Sequence, residues 1–281
     1  MADVGVPITA RIICEQLGLD FAEIGVARIQ RWTRALLAQM GRMQTRAEFL
    51  DNARALCEMH HFLVPAIRER QRKPREDMIS DLVHARLPGD DRPALSFPEQ
   101  VSCVRAILVA GNDTTAAAIA NLLWILATEP DALHWLADHT GDSQALTLFL
   151  EELLRLLPPV HGLYRTALRE VEVGGVRIPA GAQVCVLFAS ANRDEALFAE
   201  PDHFLRQRPE AIRHLTFGAG IHRCLGAALA RMELRVVAEE IVRRFATIHL
   251  TVPVESLDYL PTLATQTLTR LPLSFEARDS C

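Results

Sequence analysis

One cysteine of this chain lies on a loop whose residue types favour close contact with a ligand. Cys224 stands in FGAGIHRCLG, residues 217–226, where three glycines permit positive φ angles or a near approach of the backbone to another group. A helix-forming segment follows, and the free N–H groups at a helix start favour the thiolate form of a nearby cysteine. His222 and Arg223 add a donor and a positive charge beside the sulfur.

A thiolate in this setting has three possible roles, besides the common one of a small buried hydrophobe. As a nucleophile it would need a base held by a third group, and no nearby residues resemble such an arrangement. As a zinc ligand it would need partners, but His222 and Cys224 offer at most two of four ligands. A single axial thiolate on a heme iron fits the loop better.

A second polar group interrupts a long apolar helix further upstream. The stretch AGNDTT, residues 110–115, lies within a segment that is predicted to run as a helix from a cap at Ser96 to about Thr128. Burying an acid and two threonines without partners would be costly, and Gly111 weakens the helix. The pattern indicates either a solvent-facing or bent turn with threonine back-bonding, or a functional element.

The two stretches together resemble a known family, the cytochromes P-450. The AGNDTT stretch is similar to the family element A/G-G-x-D/E-T-T, and it precedes the cysteine loop in the family's order. The loop FGAGIHRCLG matches the heme-binding motif F-G-x-G-x-H/R-x-C-x-G at every fixed position, which here are Phe217, Gly218, Gly220, His222, Cys224 and Gly226.

The resemblance implies a heme b (iron protoporphyrin IX) site and assigns its residues. Cys224 would be the iron ligand, Phe217 would pack near the sulfur, and His222 would donate to a heme propionate. Arg165 would pair with a propionate, although a surface charge at a strand edge is the alternative. The implied catalytic pair that relays protons is Asp113 and Thr114. The implied cofactor-binding residues are Cys224, His222, Arg165, Phe217, Gly218, Gly226, Ala110 and Gly111, of which Gly111 would open a groove for oxygen and water.

An E-x-x-R pair is a further family element. The pattern occurs four times, and only position selects Glu152 and Arg155, which lie between the AGNDTT helix and the cysteine loop. The resemblance implies that this pair is structural and supports the loop. Downstream, EPDHF places His203 where the family has the arginine that would complete a Glu–Arg–Arg cluster.

The charge distribution bears on partners. Residues 203–235 contain six arginines and two acids, whereas the chain has a net charge of −5. This basic stretch suggests docking of an acidic ferredoxin-type electron donor served by a reductase, with a solvated helix face as the alternative. The overall negative charge gives no reason to expect nucleic-acid binding.

Composition favours a cytoplasmic protein without a membrane anchor. The six cysteines are scattered, which is typical of a reducing compartment, and the N-terminus does not resemble a signal peptide. The most apolar window is interrupted by Arg105, Asn112 and Asp113, so no uninterrupted bilayer span is predicted.

The predicted fold is mainly α with small β-sheets, the C-terminal portion only of the cytochrome P-450 fold. Residues 1–281 are predicted to form one such domain lacking its N-terminal part. Helices are expected over residues 21–40 and 46–71, with a kink or break at Pro65, and short strands around Gly174 and Gly181. Candidates for the substrate pocket are Val109, Ala110, residues 160–163 and the turn Thr262–Thr265.

The expected activity is insertion of one oxygen atom into an apolar substrate, with electrons from NAD(P)H. Two alternatives remain open at this stage. One is a non-catalytic or heme-deficient fragment of such an enzyme. The other is a split protein that a separate N-terminal chain completes.

Overall fold

The computed structural model of this protein describes residues 3–39, 44–89, 93–129, 131–259, 265 and 267–278. Within these residues the chain forms ten α-helices and six short β-strands. The predicted class, mainly α with small β-sheets, is therefore confirmed. Contacts divide the chain into two units, Met1–Ala116 and Ala117–Cys281.

The first unit consists of helices around one apolar core. Its helices are α1 (Gly5–Leu17), α2 (Phe21–Ile24), α3 (Val26–Leu37), α4 (Arg46–Arg72), α5 (Met78–His84) and α6 (Phe97–Thr128), the last of which continues into the second unit. Trp32, Met59 and Ile67 are fully buried in the core. α1 ends where Gly18 adopts a left-handed conformation at φ 71°.

One local prediction for this unit is wrong, and of the kink or break predicted at Pro65 the break is not observed. The single helix predicted over residues 21–40 is two helices, because Gly25 at φ 76° and ψ 154° leaves the helical conformation between α2 and α3. Conversely, α4 runs through Pro65 without a break. A proline inside a helix costs about 3 kcal/mol, and burial of Leu63 and Ile67 on either side offsets this cost.

The second unit adds three two-stranded antiparallel sheets to its helices. Its elements are α7 (Ala132–Asp138), α8 (Ser143–Leu156), β1 (Gly162–Thr166), β2 (Val171–Val173), β3 (Val176–Ile178), β4 (Gln183–Leu187), α9 (Phe188–Ala191), α10 (Ala227–Arg244), β5 (Phe245–Leu250) and β6 (Leu273–Ala277). The pairs are β1 with β4, β2 with β3, and β5 with β6. Gly174 and Gly175 both have positive φ angles and make the predicted tight turn between β2 and β3.

The helix α8 is the centre of this unit. Asp142 caps its start by accepting from the N–H groups of Gln144 and Ala145. From Ala145 onward α8 buries most of its residues, including three charged ones near its end. Because α10 packs against both α7 and α8, these buried charges lie close to the helix that follows Cys224.

Among the described residues, α6 is long and apolar enough to cross a membrane by length and composition. However, 67% of the apolar window that meets this criterion is buried inside the structure. Such burial is typical of a core helix, which agrees with the polar residues that interrupt the segment.

Candidate functional site

The loop around Cys224 is shaped by two left-handed glycines and one backbone hydrogen bond. Gly218 and Gly220 have φ angles of 65° and 64°, which residues with side chains seldom adopt. The Cys224 N–H donates to the Phe217 carbonyl at 2.8 Å, and α10 begins shortly afterwards at Ala227. The loop therefore presents Cys224 before the N-terminus of a helix, as the glycine spacing predicts.

The thiol of Cys224 is free and exposed, and the loop carries exposed apolar side chains beside it. Ile221 is 97% exposed and Leu225 is 87% exposed, which is unusual for two large aliphatic residues so close together. A Cβ at Gly226 would contact the Cys224 sulfur at 4.0 Å, so glycine leaves this side of the sulfur open. One sulfur donor within an apolar surface fits a flat apolar cofactor held by a single axial thiolate, as heme is.

Other metal centres fit less well. In the part of the chain that the structure describes, no three His, Cys, Asp or Glu side chains come together as a metal-binding group. His222 is exposed in a short 3₁₀ turn on the same loop, where it is accessible to a polar group of a ligand. The donor set thus agrees with one thiolate ligand rather than with a zinc site.

A buried ion-pair cluster supports the segment that leads into this loop. The cluster consists of Glu152 and Arg155 on α8 and of Arg208, and all three are buried. Arg155 Nε and Nη2 donate to the two Glu152 carboxylate oxygens at 2.7 and 2.9 Å. Arg208 Nε lies 3.0 and 3.1 Å from the same two oxygens. Of the four E-x-x-R patterns, the one selected by position is therefore a buried pair.

The third member of this cluster is Arg208. The expectation that residue 203 occupies this position is wrong. The His203 side chain is 73% exposed. Only its backbone carbonyl takes part, accepting from Arg155 Nη2 at 3.3 Å. The physical reason is reach: Arg208, five residues further along, extends its long side chain to the buried carboxylate, and the histidine is not needed.

The same cluster fixes the backbone before the loop. Arg155 Nη1 donates to the carbonyls of Asn192 and Pro201 at 2.7 and 2.8 Å. The Asn192 side chain accepts from the Leu215 N–H at 2.7 Å and donates to Thr216 Oγ1 at 2.9 Å. Since Phe217 follows directly, these bonds connect the buried end of α8 to the start of the Cys224 loop.

A second ion pair, absent from the sequence-based expectations, joins α8 to α10. Arg231 Nε and Nη2 donate to the Glu151 oxygens at 2.5 and 2.8 Å, and the Arg231 guanidinium lies 4.4 Å from the Phe217 ring centre. His214 Nε2 lies 3.1 Å from Glu151, within ion-pair distance. Burial alone would raise the pKa of Glu151, but the hydrogen bonds and charge of Arg231, with His214 nearby, outweigh it and lower the pKa to about 2.

These pairings correct the basic stretch counted in the sequence. Arg208 and Arg231 belong to this stretch, but each forms an ion pair with a buried glutamate of α8. Arg213 and Arg223 are exposed and carry no ion pair among the described residues. The exposed positive charge near the loop is therefore smaller than the count indicates.

The AGNDTT turn lies on α6 as predicted. Thr114 Oγ1 donates to the Ala110 carbonyl at 2.9 Å, the back-bond expected of a threonine inside a helix. Asp113 is half-buried, and burial raises its pKa, while the charge of Arg34 acts in the opposite direction. A Cβ added to Gly111 would lie only 2.7 Å from Ile13 Cδ1, so the close packing of α1 also requires glycine at this position.

The central residue of this turn has buried partners that the sequence did not indicate. Asn112 Oδ1 accepts from Thr9 Oγ1 at 2.9 Å, and Asn112 Nδ2 lies 3.4 Å from Thr33 Oγ1. All three side chains are fully buried or nearly so. The network links α1 and α3 to α6, next to Asp113.

Arg165 lies on β1, opposite Val184 of β4, and donates to the Tyr164 carbonyl at 2.9 Å. Of the predicted pocket residues, Val160 forms an isolated bridge with Thr265. The remainder of the turn at Thr262–Thr265 lies outside the described residues.

The sequence profile of the family described as Cytochrome P450 matches residues 31–269 of this chain. The chain belongs to the cytochrome P450 family. Family membership confirms the resemblance and implies heme as the cofactor.

Curated P450 relatives cover nearly all of this chain. Cyclomarin C epoxidase from Salinispora arenicola is 34% identical over 270 residues, which are 92% of this chain and 64% of the relative. The 6-deoxyerythronolide B hydroxylase from Saccharopolyspora erythraea is 32% identical over 270 residues, covering 96% of this chain and 64% of the relative. The chain thus spans slightly less than two thirds of the length of these P450 relatives.

Solved P450 structures confirm the fold. A cytochrome P450 from Chondromyces apiculatus is 34% identical, superposes with a TM-score of 0.82, and is matched over 99% of this chain and 66% of its own length. The P450 named CREJ is 28% identical with a TM-score of 0.89, over 98% and 67% of the two chains. The predicted P450 fold is therefore observed.

Proposed function

We propose that this chain acts as a heme-thiolate monooxygenase, which inserts one oxygen atom of O2 into an apolar organic substrate. The observation that carries the proposal is the exposed Cys224 thiol on a glycine-shaped loop before α10. Support comes from the relatives, since the two curated P450s described above are named as an epoxidase and a hydroxylase.

The residues present fit heme b. When bound, a heme with a cysteine thiolate ligand supplies the activation of dioxygen by two electrons, with the thiolate favouring O–O cleavage. Cys224 would provide that thiolate, and Phe217 would pack beside it. His222, exposed on the loop, and Arg165 on β1 would donate to the propionates. Gly218 and Gly226 keep the loop backbone close and the sulfur accessible.

Proton delivery is proposed for the α6 turn. Because burial raises the pKa of Asp113, its carboxyl group can hold a proton closer to neutral pH than an exposed aspartate can. Thr114 Oγ1 would pass the proton on, and its bond to the Ala110 carbonyl orients the hydroxyl. Ala110, which is exposed on the same turn, would lie at the cofactor side, whereas Gly111 packs against Ile13 of α1.

The electron donor is proposed to be an acidic ferredoxin-type protein, reduced by an NAD(P)H-dependent reductase. Exposed Arg213 and Arg223 near the Cys224 loop support this choice, since opposite charges steer association. A cytoplasmic location agrees with the described cysteines, all of which are free. The proposed substrates are apolar small molecules.

The test is the visible spectrum of the purified 281-residue chain, reduced with dithionite and exposed to carbon monoxide. A strongly red-shifted Soret band is expected for a thiolate ligand. Cys224→Ala should abolish this band, whereas Cys185→Ala, at another exposed free cysteine, should retain it. A chain without a heme band, or with a band that survives Cys224→Ala, would contradict the proposal and favour a heme-deficient fragment.

A further inference from the structure

Arg231 connects three groups around the Cys224 loop. It donates twice to Glu151 on α8, and its guanidinium lies 4.4 Å from the centre of the Phe217 ring. The Phe217 carbonyl in turn accepts the Cys224 N–H at 2.8 Å. One side chain of α10 therefore links a buried carboxylate to the ring and the backbone that shape the loop.

The position of Arg231 is fixed by a partner that water hardly reaches. The Glu151 side chain is only 5% exposed, and its two oxygens match the planar fork of the guanidinium. The hydrogen bond to Glu151 is the main reason why the pKa of Arg231 lies above its usual range, and the charge of Cys224 adds to it. The ring contact places this cation at the Cys224 loop, beside the residue whose carbonyl accepts the Cys224 N–H.

We propose that Arg231 is a positioning residue of the Cys224 loop, which holds the Phe217 ring in place and brings a fixed positive charge to the loop. It thereby raises the reduction potential of a heme bound there, an inference that rests on the proposed function. Reduction adds a negative charge at the ligand site, so a fixed cation nearby stabilises the reduced form relative to the oxidised form.

The experiment is a potentiometric titration of the heme-loaded chain with three substitutions. Arg231→Gln removes the charge and the ring contact, and Arg231→Lys keeps the charge but loses the two-point contact with Glu151. Arg235→Gln is the matched control. Arg235 lies one turn further along α10, where it donates to Thr147 Oγ1 at 2.7 Å rather than to Glu151, so the variant loses the same charge elsewhere.

The expected result is a midpoint potential that shifts to more negative values in Arg231→Gln. The potential of Arg231→Lys should lie close to that of the wild type. Arg235→Gln should shift the potential much less than Arg231→Gln does. Equal potentials for Arg231→Gln and Arg235→Gln would overturn the inference, as would a lysine variant that falls below the glutamine variant.

A double variant serves as the control for loss of folding. Because Arg231→Gln leaves the buried Glu151 carboxylate unpaired, Glu151→Gln/Arg231→Gln removes both charges together. A double variant with the wild-type potential would also overturn the inference. A wild-type chain that takes up no heme overturns the proposed function and this inference together, whereas loaded variants with unchanged potentials overturn this inference alone.

Discussion

Arg208 Nε lies within 3.1 Å of both carboxylate oxygens of Glu152, and this pair is buried. Glu152 thereby accepts from two guanidinium groups at once, since Arg155 binds the same oxygens. A buried carboxylate that loses one of two cationic partners retains a large desolvation cost. Loss of Arg208 should therefore destabilise the second unit.

Replacement of Arg208 by Gln should lower the free energy of unfolding by about 3–5 kcal/mol, the range for breaking a buried ion pair. Urea unfolding followed by circular dichroism measures this change. His203→Ala is the control, since that side chain is exposed and should shift the free energy by less than about 0.5 kcal/mol. A larger loss for His203→Ala than for Arg208→Gln would contradict the assignment.

Glu233 on α10 should make the stability depend on pH. Its side chain is buried, Oε2 has no hydrogen-bond partner among the described residues, and burial raises its pKa from 4.5 to about 7. Between these values the folded chain binds more protons than the unfolded chain, so the free energy of unfolding falls by about 1.4 kcal/mol per pH unit as pH rises.

Glu233→Gln removes this titration. The variant should match the wild type near pH 4 and exceed it in stability at pH 8, with the gain developing between pH 4.5 and 7. Urea unfolding at a series of pH values provides the measurement. Two stability curves that run parallel across this window would show that Glu233 ionises freely in the folded chain.

The Asn112 network should show unequal couplings. Asn112→Ala removes the buried amide that contacts both threonines and should cost about 1–3 kcal/mol, while Thr9 Oγ1 keeps the Gly5 carbonyl as an acceptor. In double-mutant cycles with Thr9→Val and Thr33→Val, the coupling energy to Thr9 should be the larger, because that contact is 2.9 Å against 3.4 Å. Thermal unfolding of the single and double variants measures both couplings, and a stronger coupling to Thr33 would contradict the geometry.

The exposed arginines near the loop should govern association with an acidic donor. Arg213→Gln/Arg223→Gln should slow binding of a [2Fe–2S] ferredoxin severalfold at low ionic strength, and the difference should vanish in high salt. Stopped-flow reduction of the heme-loaded chain reports the rate. Arg243→Gln is the single-charge control, because that exposed arginine pairs with Glu240 at the far end of α10. If Arg243→Gln slows ferredoxin binding equally, the effect comes from net charge alone and not from the position of the arginines near the loop.

Local sequence signals predicted the parts of the site that lie close together along the chain. The Cys224 loop was predictable because left-handed glycines and a following helix are local features, and Gly218 and Gly220 behave accordingly. The α6 turn was predictable for the same reason, and Thr114 makes the bond that its position in a helix allows.

Partners separated by many residues were not predictable from spacing. Glu151 and Arg231 meet only because α8 and α10 pack together, and Arg208 reaches Glu152 across more than fifty positions. Glu151, the acid directly before the E-x-x-R pair, was a signal for a buried charge, but no local rule identifies its partner. The continuation of α4 through Pro65 was not predictable either, since tertiary burial overrides the helix-breaking preference of proline.

The arginines of the buried cluster hold the segment before the loop through main-chain oxygens. Arg208 donates to the carbonyls of Ala199 and Glu200, and Arg155 donates to those of Pro201 and His203. Every amino acid carries the same carbonyl, so the cluster constrains the path of this segment and not the identity of its side chains. Side chains of residues 199–203 can therefore change, and with them the surface chemistry, without loss of the carbonyl hydrogen bonds that fix the path of the segment before the loop.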